Sequence, residues 1–141
     1  MQIKAKKSLG QNFLIDKNII NKIVAVANIQ PNDNILEIGP GTGNLTESIL
    51  NKKPKKIFVI EKDERLVNLL SERFKNQITI INEDILKISE HSISNDELIV
   101  FGNLPYNIST QILAKWIISA YNKKWYKSLI LMFQKEVANR I

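Results

Sequence analysis

Cysteine is absent from the 141 residues, so neither a disulfide framework nor a thiolate metal site can form. Histidine is nearly absent. His91 stands alone, which excludes histidine-cluster metal sites and leaves little room for triad hydrolysis. Its polar setting, "SEHSISND", suggests a solvated side chain, and no metal is expected anywhere. No apolar run approaches the roughly 18 residues of a membrane span, so no membrane partner is expected. The N-terminus "MQIKAKKSLGQNF" is basic but lacks the apolar segment of a secretory signal, and a cytoplasmic, monomeric protein is the expectation. Repeats and low-complexity tracts are also missing. What remains, 44% hydrophobic and 24% charged, is the composition of one soluble globular domain.

The charge that is present leans one way. The net charge is +6, a balance that favours polyanionic partners without specifying one. Lysines gather at 4–7, 52–56 and 122–127. A solubilising loop suffices for "KKPKK" in the middle. The first cluster leads into "SLGQNF" and the third borders Trp125 and Tyr126, a weak signal for nucleic acid.

Hydrophobic patterning alternates between two periods. Helical spacing over 18–29 is broken by "QPND", and a short apolar strand follows at 34–39. Further strands are predicted at 56–61, 77–82, 97–102 and 128–133. Between them lie helical segments, among them "KDERLVNLLSERFK" with Leu66, Leu69, Leu70 and Phe74 on one face. "QKEVANRI" at 134–141 has the pattern of a further helix. Nearly all-apolar strands alternating with helices predict an α/β fold, a doubly wound and mostly parallel sheet. In such sheets ligands bind beyond the carboxyl ends of the strands, at the topological switch point.

Those strand ends hold the residues that matter. After the first comes Gly39-Pro40-Gly41-Thr42-Gly43, where glycines allow a tight turn and close approach to a ligand. Position 44 is Asn, so the nicotinamide pattern G-x-G-x-x-G is imperfect. With Glu37 ahead of it, the loop has the E-x-G-x-G-x-G form expected of S-adenosylmethionine sites. Glu61, after the second strand, can accept both hydroxyls of a ribose. Asp84, after the third, can accept from an adenine amino group. After the fourth come Asn103, Leu104, Pro105 and Tyr106.

Asn-x-Pro-Tyr suits methylation of an adenine amino group, whose lone pair is delocalised into the ring. The Asn103 side-chain oxygen and the Leu104 carbonyl can hold its hydrogens and favour tetrahedral nitrogen. Pro105 restricts the backbone so that this carbonyl turns inward, and Tyr106 offers a stacking face worth roughly 1–3 kcal/mol. A base inside a duplex must be flipped out or already unpaired to reach such a pocket.

"KKSLGQNFLID", "EIGPGTGNLT", "IEKD", "NEDIL", "FGNLPYNIST" and "LMFQKEVANRI" together resemble the small-subunit ribosomal RNA adenine N6-dimethyltransferases of the KsgA type. The resemblance runs over all 141 residues and implies a Rossmann-like methyltransferase fold using S-adenosylmethionine. It implies two methyls on each of two adjacent adenines near the 3′ end of small-subunit rRNA, late in subunit assembly. By motif, Gln11, Asn12 and Leu14 would close over the cofactor, and Gly39 and Gly41 would pass under its methionine part. Glu61 would hold the ribose and Asp84 the adenine. Asn103 would touch methyl donor and target, with Leu104, Pro105 and Tyr106 shaping the target pocket. Family members continue through further strands and a helical C-terminal domain, so 1–141 is expected to be a partial catalytic domain whose last predicted strand lies near a sheet edge. Three alternatives stand beside this reading: a large-subunit adenine dimethyltransferase of the antibiotic-resistance type, a nicotinamide oxidoreductase, and a fragment that binds cofactor or pre-ribosome without turnover.

Overall fold

The computed structural model describes residues 3–4, 14–104 and 108–132. Gln11, Asn12, Pro105, Tyr106 and the helix expected over 134–141 therefore lie outside the described residues. Helix α1 (Lys17–Ala27) begins where the Asp16 carboxylate accepts from the Asn18 and Ile19 backbone N–H groups, and ends on Asn28 in the left-handed conformation. Strand β1 (Asn34–Ile38), helix α2 (Asn44–Leu50) and strand β2 (Lys56–Ile60) follow. Helix α3 (Glu64–Phe74) starts only after Asp63, whose carboxylate accepts from the Arg65 N–H, so Lys62 and Asp63 of the expected segment stay outside the helix. Strand β3 is short (Thr79–Ile81) because a 3-10 turn occupies Lys75–Gln77. Strand β4 (Leu98–Asn103), helix α4 (Ser109–Asn122) and strand β5 (Tyr126–Met132) complete the described chain.

The strands form one sheet in the order β3-β2-β1-β4-β5, and every neighbouring pair is parallel. Both faces are covered, as the unbroken apolar runs require. On one face Ile35, Ile57, Val59, Ile99 and Phe101 meet Ile20 and Val24 of α1, Leu45 and Ile49 of α2, and Leu70 and Phe74 of α3. On the other, Leu36, Ile38, Ile60 and Val100 meet Ile112 and Trp116 of α4 and the buried Trp125. All five residues of β1 are buried, so this strand is the spine of both layers. Strand β5 ends the order, as expected for the last strand, but it begins at Tyr126 rather than at 128. Trp125 belongs to the core, its ring edge-on to Trp116 at 5.7 Å, so the aromatics of "NKKWYK" serve packing first.

Strand order reverses between β1 and β4. The chain steps outward from β1 to β2 and β3, then returns to lay β4 on the other side of β1. The carboxyl ends of β1 and β4 thus diverge into connections on opposite faces, and the crevice between them is where such folds take ligands.

Candidate active site

The glycine loop and the end of β4 touch at that crevice. Gly39 has φ +66° and donates its N–H to Ile60 O at 3.1 Å. A Cβ at 39 would stand 2.8 Å from the Asn103 carbonyl oxygen, so only glycine lets the two strand ends approach. Gly43, with φ +98°, abuts Phe74, and its missing Cβ leaves room for that ring under the start of α2. Gly39, Gly41 and Gly43 all hold positive φ, so the loop presents backbone rather than side chains beside Asn103. A cradle of this kind fits a cofactor that must lie against the main chain. Leu104 is buried with its side chain in the α4-facing core, and Gly102 lacks a Cβ where the Leu104 and Leu131 side chains close in.

Glu61, at the end of β2, is 7% exposed. Burial pushes its carboxyl above the usual range, while backbone N–H groups of Asp63, Lys62 and Gly41 hold it back. The Asp63 contact is 2.9 Å. The proposed ribose acid and the glycine loop are therefore bonded neighbours. Glu37 lies deeper, 1% exposed, and burial lifts its carboxyl to about 7 against the opposing Thr46 hydroxyl, which donates to Oε1 at 2.5 Å; Glu61 adds a smaller upward push. Two acids thus share one desolvated strand-end region beside the backbone cradle.

Asp84 follows β3 and is half committed to its own turn. Its Oδ1 accepts from the Leu86 N–H at 3.0 Å, and its Oδ2 lies 3.6 Å from the Lys62 ammonium. The turn it caps is strapped to α4 by Lys115. That ammonium donates to Ile85 O and Glu90 Oε1, each at 2.8 Å, and to Ile88 O. Glu90 is 1% exposed and also accepts from the Trp116 indole N–H at 2.8 Å. The segment after β3 and the helix that follows Asn103 are therefore held as one piece.

Leu14 is half-buried against the α1-side core, and its carbonyl accepts from the Asn44 side chain at 3.2 Å. Asn44, which spoils the nicotinamide pattern, thus ties the N-terminal segment to the glycine loop. Arg73 grips the same loop from α3, donating to Thr42 O at 2.6 Å and to Glu47 Oε2 at 2.7 Å. Sequence reasoning finds the strand-end residues but misses Arg73, Thr46, Glu90 and Lys115. Their partners lie 9 to 31 residues away, and no local pattern marks them. His91 is not simply solvated; its Nε2 lies 3.2 Å from Ser119 O in a part-buried position.

This sheet order, with a glycine loop at the switch point and acids after β2 and β3, defines a Rossmann-like fold of the S-adenosylmethionine-dependent methyltransferase class. Solved structures of the class superimpose well: a dimethyladenosine transferase from Plasmodium falciparum (32% identity, TM-score 0.77, covering 92% of this chain and 46% of that one) and the 23S rRNA methyltransferase ErmE (28%, TM-score 0.76, 91% and 50%). The chain belongs to the ribosomal RNA adenine dimethylase family, whose sequence profile matches residues 2–141. It is 62% identical over 141 residues to the ribosomal RNA small subunit methyltransferase A of Pelagibacter ubique, covering all of this chain and 53% of that protein. It is 48% identical to the protein of the same description from Wolbachia pipientis, covering 99% and 49%. The chain spans about half the length of the curated relatives it matches.

Proposed function

We propose that this chain forms the catalytic domain of an S-adenosylmethionine-dependent enzyme that dimethylates the N6 amino groups of two adjacent adenines near the 3′ end of small-subunit rRNA. The observation that carries the reading is the contact between Gly39 and Asn103, which joins the backbone cradle to the Asn-x-Pro-Tyr motif at the switch point. When bound, S-adenosylmethionine supplies an electrophilic methyl on a positively charged sulfur. Gly39 and Gly41 carry its methionine part, Glu61 accepts from its ribose hydroxyls, and Asp84 accepts from its adenine amino group. Gln11, Asn12 and Leu14 close the N-terminal segment over it. The Asn103 side-chain oxygen and the Leu104 carbonyl receive the target amino hydrogens, Pro105 sets the turn, and Tyr106 stacks the extruded base. The protein acts as a monomer on the pre-ribosomal small subunit, in the cytoplasm; among the described residues no helix is long and apolar enough to cross a membrane.

The test is incorporation of labelled methyl into separated ribosomal subunits from cells lacking the modification. Label is expected in small-subunit RNA as N6,N6-dimethyladenine. Asn103→Ala should abolish it while cofactor affinity stays within about tenfold, or roughly 1.4 kcal/mol. Label confined to the large subunit contradicts the choice of substrate and favours the activity that the likeness to ErmE suggests.

A further inference from the structure

The two sheet edges differ in charge. Where the strands end lie Glu37, Glu61, Asp63, Glu83 and Asp84, with Lys62 beside Asp84 and Arg65 beside Asp63. The opposite edge is basic, because two lysine runs far apart in sequence meet there. Lys56, Asn34, Leu98 and Tyr126 are partners in register and form one row across the amino ends of β2, β1, β4 and β5. The turn into β2 brings Lys52, Lys53 and Lys55 to this row, where the Lys55 N–H donates to Asp33 O at 2.8 Å. The turn into β5 brings Lys123 and Lys124, anchored by the Leu98 N–H on Trp125 O at 3.1 Å. All six of these lysines are exposed.

Little at the edge neutralises them. Asp33 is taken by Lys127 at 3.1 Å, and Asp96 accepts from the Asn34 side chain at 3.3 Å. Glu97 is the other carboxylate at that edge among the described residues. The two lysine runs are separated by three strand spacings, roughly 14 Å, and face the same side of the domain. Lys53 holds φ +54°, an unfavourable backbone state for a residue with a side chain, at an exposed turn tip. Trp125 is buried in the core, while the Lys124 ammonium lies 5.8 Å from the Tyr126 ring centroid and the lysines themselves stand in solvent, where ammonium groups suit phosphate oxygens.

We infer that this amino-terminal sheet edge is a second RNA-binding surface, which holds phosphate backbone on the side of the domain away from the target adenine. A target presented within a large ribonucleoprotein offers other segments whose phosphates can be held from behind while the base enters the strand-end crevice. The inference rests on the RNA-modifying reading, but its test is separable from it. Fluorescence anisotropy with a fluorescein-labelled RNA hairpin compares two triple variants of equal charge. One, Lys52→Gln with Lys56→Gln and Lys123→Gln, strips the edge. The other, Lys17→Gln with Lys22→Gln and Lys87→Gln, removes exposed lysines elsewhere. The edge variant should bind at least tenfold more weakly and lose about two units of salt slope; the other should lose threefold or less. A ratio below three between the two losses overturns the proposal. Titration with S-adenosylhomocysteine should be unchanged in both variants, which separates failure of the RNA surface from failure of the cofactor site.

Discussion

Glu37 is the residue whose environment is most at odds with its chemistry. Its carboxyl is raised to about 7 in the folded chain, chiefly by burial, against 4.5 in the open. The folded state therefore holds the proton more tightly than the unfolded state does. The resulting stability is full below about pH 4.5 and is lost as pH rises through 7. Glu37→Gln keeps an acceptor for the Thr46 hydroxyl while removing the buried charge. The variant should melt several degrees above the parent at pH 8, and the gap should close by pH 5. A gap that does not change with pH contradicts the assignment. Gly39 presents the opposite problem, since its lack of a side chain is what the site uses. Gly39→Ala adds a Cβ that collides with Asn103 O in a left-handed backbone, and it should cost about 1–3 kcal/mol in urea unfolding as well as cofactor affinity. Unchanged values for both would show that the strand ends need no such approach.

At the scale of elements, the segment after β3 is held to α4 by the Lys115 ammonium, the Trp116 N–H on Glu90 and the His91 contact with Ser119 O, and the ammonium makes the most contacts. Lys115 spends its donors on Ile85 O, Ile88 O and Glu90, and Glu90 is buried beneath it. Lys115→Met leaves that carboxylate with only the Trp116 N–H of its two side-chain donors. A fully buried pair broken in this way costs about 3–5 kcal/mol. Because the lysine is partly exposed, a loss of about 2 kcal/mol is expected in urea unfolding; a loss under about 0.5 kcal/mol would remove the strap from the account. This contact also marks where sequence reading stops. Strands β1, β2 and β4 were legible because apolar runs ended in glycine, acid or Asn-x-Pro, and those same endings named Gly39, Glu61 and Asn103. Strand β5 begins two residues ahead of its apolar run because Lys127 and the aromatics before it have the pattern of a basic loop. Arg73, Thr46 and Lys115 were invisible because each takes its meaning from a partner that only the tertiary fold supplies.

For the whole molecule, the parallel sheet converts chain order into position. Four successive strand ends fall on one edge, so a glycine loop, two acids and Asn103, unremarkable singly, line that edge, with Gly39 and Asn103 meeting at the β1–β4 crevice. The same geometry sends the lysine-rich turns to the other edge. The central claim is that the first edge is an S-adenosylmethionine site, and calorimetric titration tests it most directly. S-adenosylhomocysteine should bind at one site, Glu61→Ala should weaken it at least tenfold, and NAD should give no heat. Equal affinity in the Glu61→Ala variant, or heat with NAD and none with S-adenosylhomocysteine, would contradict the account.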